Sequence, residues 1–282
     1  MLPTPLLIDS KKKLWRIYYS GRDSLNRSAI SFFELTVGKL QLKINDFSKE
    51  SILSYGRLGT FDDSGVSPSC LTQLSDTKQL LFYIGWNPGS TTRVNLYGGL
   101  AINSDNNGFT RAFESPLLER TPTDPFINTA PWVVNTGTEF YMYYVSGTEW
   151  KTPDSPRYNI KFATSKDGVN WKREGKVVLD FESTDETALA RPYVIVQDNL
   201  WRMWFSKRVG NYSIGYAESN DGINWVRQDQ KYGLGTSENI YENEMVEYGV
   251  VIPGEDANWI LYNGNEYGKY GIHHAKGGRF DN

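Results

Sequence analysis

The apolar residues of this chain come in short runs, each ending before a helix could complete three turns. Leu14–Ser20, Leu80–Trp86, Glu139–Ser146, Leu200–Ser206 and Trp259–Asn263 are five to eight residues long. They are rich in aromatic and β-branched side chains and are bounded by Gly, Asn, Asp and Pro, which reads as strands. A second run follows each at Ser28–Leu35, Val94–Asn103, Tyr158–Ser165, Tyr212–Ser219 and Tyr270–Lys276. No stretch keeps a 3.6-residue apolar period over three turns, so no helix is expected.

The runs repeat as a set. Residue-Pro pairs open the copies at Thr4-Pro5, Ser67-Pro68, Ala130-Pro131 and Arg191-Pro192. A fifth opening without proline falls at Glu247-Tyr248, giving steps of 63, 63, 61 and 56 residues. Strand-filled repeats of this length predict an all-β, five-bladed β-propeller in a single domain spanning 1–282. The expected blades are 1–61, 62–123, 124–183, 184–240 and 241–282. Only Gly277 to Asn282 follow Lys276, so the last blade should be three-stranded, with the ring closed by packing and without strand exchange. A turn signature fixes the register: Ala163 to Trp171 reads ATSKDGVNW, and Ala217 to Trp225 reads AESNDGINW. Ala101 to Phe109 is a looser copy. Asp167 and Asp221 are therefore turn residues, and the glycine after each supplies positive φ.

Composition narrows the function. Aromatic residues make up 14% of the chain, which suits packed sheets and sugar binding alike. A formal net charge of −3 with no basic stripe argues against nucleic acid. Cys70 is the one cysteine, expected as a small core residue. Neither a signal peptide nor a membrane-spanning run is seen, so the expected location is cytoplasmic. Adjacent His273 and His274 point to opposite faces of a strand, which excludes a shared metal site. No metal-ligand spacing and no cofactor motif is present, so metal and cofactor are both expected to be none. The oligomeric state is left open.

A propeller directs the starts of its inner strands, and the loops between second and third strands, to one central pocket. Three openings carry carboxylates: Asp62 and Asp63, then Glu186, then Glu242, Glu244 and Glu247. Converging acids raise one another's pKa and can divide into an acid and a base. Glycoside hydrolysis needs such a pair. The catalytic candidates are Asp62, Asp63, Glu186, Glu244 and Glu247. Arg191, Lys207, Arg208, Asn128, Asn263 and Tyr267 are the expected polar substrate contacts, and Trp86 and Trp150 offer flat faces for a sugar ring.

The blade count, the Pro-bearing openings, the Asp-Gly-x-x-Trp turns and the acids at blade starts resemble the five-bladed propeller glycoside hydrolases of families 43, 32, 62, 68, 117 and 130. The resemblance spans the whole chain and implies a glycosidase acting on a carbohydrate. Family 43 members place acids on blades one, three and four, whereas Thr4 and Asn128 stand at the first and third openings here. Shifted by one blade the spacing fits, which makes Asp62 or Asp63 the base, Glu186 the orienting acid and Glu244 or Glu247 the proton donor. The resemblance to family 130 implies a second possibility, phosphorolysis or transfer with Arg191, Lys207 and Arg208 on phosphate. A third is a propeller that binds a glycan or sugar-nucleotide without chemistry, and a fourth is a protein-interaction surface.

Overall fold

A computed structural model of the chain describes residues 1–105, 107–254 and 256–280. The first strands are β1 (Thr4–Asp9), β2 (Leu14–Arg22), β3 (Ser28–Val37) and β4 (Leu42–Phe47). The second group is β5 (Gly65–Ser75), β6 (Lys78–Pro88), β7 (Val94–Ser104) and β8 (Phe109–Arg111). The third is β9 (Asn128–Asn135), β10 (Phe140–Thr152), β11 (Ser155–Ser165) and β12 (Trp171–Leu179). The fourth is β13 (Glu186–Gln197), β14 (Leu200–Val209), β15 (Asn211–Ser219) and β16 (Val226–Arg227). The last is β17 (Glu247–Ile252), β18 (Asn258–Asn263) and β19 (Ile272–Gly277). Two one-turn helices, α1 (Asp229–Tyr232) and α2 (Asn265–Gly268), were not expected, because four residues are too few to leave a periodic signal.

Within each group successive strands pair antiparallel. The same holds in the later groups. Single parallel bridges join the first four groups, at Ser28 with Gly65, Tyr97 with Asn128 and Tyr158 with Ala188. The last three strands form a separate sheet. The opening strands contact one another in a closed series: β1 with β5, β5 with β9, β9 with β13, β13 with β17, and β17 with β1. They therefore share an axis, as in a β-propeller. Closure between the first and last groups uses side chains and termini: Asn263 Nδ2 donates to the Met1 carbonyl, and Lys276 Nζ to the Lys39 carbonyl at 3.3 Å.

A bulge recurs where the opening strands reach the axis. Ala130, Arg191 and Tyr248 all hold left-handed backbone, with φ of 48°, 51° and 57°. In each case four residues of the opening strand span three of its neighbour: Thr129–Trp132 against Val145–Tyr143, Ala190–Tyr193 against Ser206–Trp204, and Glu247–Val250 against Asn263–Leu261. The equivalence corrects the sequence register by one residue. Tyr248, not Glu247, stands where Ala130 and Arg191 stand, and Gly249 takes the place of the proline. Glu247 thus aligns with Thr129 and Ala190.

The Asp-Gly turns behave as expected. Asp167 Oδ1 accepts from the backbone N–H of Val169 and Asn170 at 2.9 and 2.7 Å, and Asp221 Oδ1 from Ile223 and Asn224 at 2.8 Å each. Those donors hold both carboxyls well below the usual range. Trp171 Nε1 and Trp225 Nε1 close the turns on the carbonyls of Gly168 and Gly222 at 3.1 Å. Each indole packs edge-on against the preceding group, Trp171 on Phe82 and Trp225 on Tyr143. Asn106 of the looser copy lies outside the described residues. Cys70 is buried in the core, and burial pushes its thiol up to about 11.

Candidate functional site

Most of the acids that the sequence directs to the pocket are already occupied. Asp62 is fully buried; it accepts from Arg111 Nε at 2.8 Å, Tyr83 OH at 3.0 Å and Thr60 Oγ1 at 2.9 Å. Glu186 forms a two-pronged pair with Arg227, at 2.7 and 3.0 Å, and also accepts from the Glu182 N–H. A third acid of this kind, Asp124, was missed from sequence. It accepts from Lys161 Nζ at 2.8 Å and from Tyr144 and Ser146 at 3.0 Å each, with Arg173 at 4.0 Å. Each lies at or just before its opening strand and near an arginine of the fourth strand of its own group, which bonds Asp62 and Glu186 directly and stands 4.0 Å from Asp124. The arginine's sequence signal is an aromatic-x-Arg triplet after the turn: Phe109-Thr-Arg111, Trp171-Lys-Arg173 and Trp225-Val-Arg227. Removing one partner of a buried pair strands the other charge, so the Arg111 and Arg227 pairs tie Asp62 and Glu186 into the fold. Asp63 accepts from the Gly59 N–H and Ser64 Oγ in a turn, and Glu244 is exposed.

Glu247 differs from all of these. It begins β17 with no exposed surface and, among the described residues, no ion pair, and neither carboxylate oxygen has a hydrogen-bond partner at ordinary geometry; the Tyr248 hydroxyl and the Met1 amine are the groups that act on it. Burial pushes its pKa up to about 8, against the opposing pull of the Met1 amine, Tyr248 and Arg208. Across the ladder stands Asn263, buried, with its own Oδ1 unpaired. Unsatisfied buried oxygens are rare and costly, and they concentrate where a ligand supplies the missing donors.

Tyrosines surround this carboxyl. The Tyr158 and Tyr212 hydroxyls hydrogen-bond to each other, and the Tyr267 ring lies edge-on 6.5 Å from Tyr212. Tyr248 is anchored by its N–H to Ser206 Oγ at 2.7 Å. Burial raises the Tyr248 and Tyr212 hydroxyls well above their ordinary value, so both stay protonated. Arg208 sits 5.3 Å from the Tyr212 ring centre, with Nε on Thr187 Oγ1 and Nη2 on the Pro156 carbonyl. Leu2 packs against the axial cluster of Ile84, Ala130, Val145 and Ala190.

The other expected contacts divide by position. Arg191 is buried at the axis but spends its guanidinium on the carbonyls of Ser69 and Pro3 and on Thr4 Oγ1, at 2.6, 2.8 and 2.7 Å. It has no carboxylate partner, and burial lowers it to about 10. Lys207 is paired with Asp229 at 2.6 Å. With Arg191 and Lys207 committed and Arg208 on neutral oxygens, the trio does not form an open phosphate cradle. Asn128 holds the Glu119 and Asp124 carbonyls. Trp86 donates to Ser28 Oγ beneath the Arg22 guanidinium, and Trp150 is half-buried at the end of β10. The structure therefore brings Glu247, Asn263, Tyr267 and Arg208 together and leaves the rest in supporting positions. Among the described residues no cluster of three or more ligating side chains could hold a metal, and no helix is long and apolar enough to cross a membrane.

No protein-family model matches the chain. The uncharacterized proteins Rv1502 and MT1551 of Mycobacterium tuberculosis are each 36% identical to it over 274 residues, covering 96% of this chain and 90% of theirs. Among solved structures, a glycoside hydrolase superposes with a TM-score of 0.74 at 19% identity, covering 99% of this chain and 87% of its own. A thermostable family-43 glycoside hydrolase gives 0.66 at 16% identity, over 97% and 88% of the two chains. An endo-arabinase from Bacteroides thetaiotaomicron gives 0.63 at 14% identity, over 99% and 94%. The protein thus has the fold of the propeller glycoside hydrolases, and it belongs to the family of the two mycobacterial proteins.

Proposed function

We propose that a pocket at the axis of the ring binds a carbohydrate and cleaves a glycosidic bond there, with Glu247 as the proton donor. The reading takes the five strand groups as five blades around that pocket. The observation that carries it is the buried Glu247 carboxyl, held in no ion pair among the described residues. With a pKa near 8 it keeps its proton at neutral pH, as a general acid must. Asn263 and the surrounding tyrosine hydroxyls supply hydrogen-bonding groups for sugar oxygens, and the rings supply apolar faces. The glycoside hydrolase neighbours support the same class of ligand.

A second reading, a glycan-binding propeller without turnover, is favoured by one observation. Hydrolysis needs a second carboxyl, and Asp62 and Glu186 are closed off by Arg111 and Arg227. Assay of a chromogenic glycoside panel, with and without phosphate, separates the two. The catalytic reading expects turnover by the wild type and a loss of roughly 10²–10⁴-fold in Glu247→Gln, the range of general acid catalysis. Wild-type inactivity across the panel, with calorimetric binding of a glycan, selects the second reading.

A further inference from the structure

An open cleft of about 530 Å³ lies away from Glu247, between the loop that precedes β17 and the last sheet. Its lining includes Tyr241, Tyr262, Tyr270, Glu242 and His273. Tyr241 and Tyr270 are 45% and 50% exposed, and their rings meet at 50° with centres 5.1 Å apart, forming a V-shaped aromatic platform. Glu242 accepts three hydrogen bonds: from Ser237 at 2.6 Å, from Tyr262 at 2.8 Å, and at 3.1 Å with His273 Nδ1. Those donors hold Glu242 below its ordinary pKa even though burial alone would raise it. They also orient the imidazole, whose Nδ1 faces Glu242.

The platform is held rigidly. The Tyr270 hydroxyl donates to Glu266 Oε1 at 3.0 Å, and Lys269 pairs with Glu266 at 2.7 Å. Glu266 and Tyr267 take successive left-handed conformations, φ 54° and 58°. Such strain persists only where surrounding contacts fix it. Asn265 supplies them: its Oδ1 accepts from the Glu244 and Met245 N–H groups, and its Nδ2 donates to the Ile240 carbonyl and to Asn243 Oδ1. This clamp fixes both walls of the cleft at once. The same turn faces two ways, with Tyr267 against Tyr212 near Glu247 and Tyr270 against Tyr241 of the cleft.

We propose that this cleft is a second carbohydrate subsite, taking a sugar residue of an extended glycan on Tyr241 and Tyr270 with its hydroxyls on the His273–Glu242 floor. The chemistry selects this ligand over others. A cation would need a free carboxylate, and Glu242 is already saturated. An anion would need a free positive group, and Lys269 is tied to Glu266. A ring with an apolar face and a hydroxyl rim matches exposed tyrosines beside an imidazole. The proposal rests on the carbohydrate reading of the axial pocket and extends it: the natural ligand is an oligosaccharide or polymer, not a single sugar.

The test uses the intact protein, fluorescently labelled, on a printed glycan array, beside Tyr241→Ala/Tyr270→Ala, His273→Gln and Glu247→Gln. All are checked by thermal melting. Wild type should bind a subset of extended glycans. The double tyrosine variant should lose roughly tenfold or more in apparent affinity through the lost apolar ring faces, and His273→Gln should weaken the same glycans. Glu247→Gln should retain the cleft contribution. Unchanged binding in the tyrosine variant overturns the subsite while leaving the axial reading intact. Glycan binding that is sensitive to the tyrosines, in a protein with no turnover, upholds the subsite and counts against catalysis alone. A wild type that binds no glycan overturns both.

Discussion

At the scale of single residues, the useful distinction is between buried acids held in ion pairs and the one that is not. The sequence shows where carboxylates fall but not which of them meet arginines, because Arg111 and Arg227 lie 49 and 41 residues from the acids they bind. Asp62 and Glu186 therefore looked like Glu247. The paired acids carry a stability prediction: Arg227→Ala leaves Glu186 buried and uncompensated and should cost about 3–5 kcal/mol in denaturant unfolding. Glu247 carries one of opposite character. Its pKa is raised on folding from 4.5 to about 8, so between those values the folded state holds a proton that the unfolded state has released. Glu247 should make stability fall as pH rises across that window, by about 1.4 kcal/mol per unit, offset in part between pH 6 and 8 by the Met1 amine, whose pKa folding lowers from 8.0 to about 6. Glu247→Gln should remove that slope, which urea titrations at pH 5 and 8 would reveal.

At the scale of elements, strand positions were largely legible because short runs and turn residues are local signals. The Asp-Gly turns were read correctly for the same reason. The one-residue register error at the fifth opening was not avoidable from the proline pattern, since Gly249 stands in the proline's place and the bulge that aligns Tyr248 with Arg191 is set by pairing with β18. The bulge makes its own prediction. Ala130 holds φ 48°, where a side chain is strained; Ala130→Gly should leave the melting temperature equal or higher, and Ala130→Val should lower it. At the turn, Gly168→Ala combines φ 75° with a Cβ placed 2.9 Å from Leu80 Cδ1, and should cost at least about 1 kcal/mol.

At the scale of the whole molecule, repetition in the sequence implied a ring before any contact was known, and the closed series of opening strands has that form. What repetition could not give is how the ring breaks its own symmetry. The position occupied by Thr129 and Ala190 in two groups becomes Glu247 in the last, and that departure buries a carboxyl among tyrosines without the arginine or lysine pair that holds Asp62, Asp124 and Glu186. The connection before β17 builds one wall of the second cleft. Carbon-13 NMR titration of glutamate carboxyls, with Glu247 assigned by difference against Glu247→Gln, measures the central quantity directly. The account predicts a midpoint near pH 8 for Glu247 in the folded protein. A midpoint of about 4–5, as for an ordinary solvated glutamate, would contradict it.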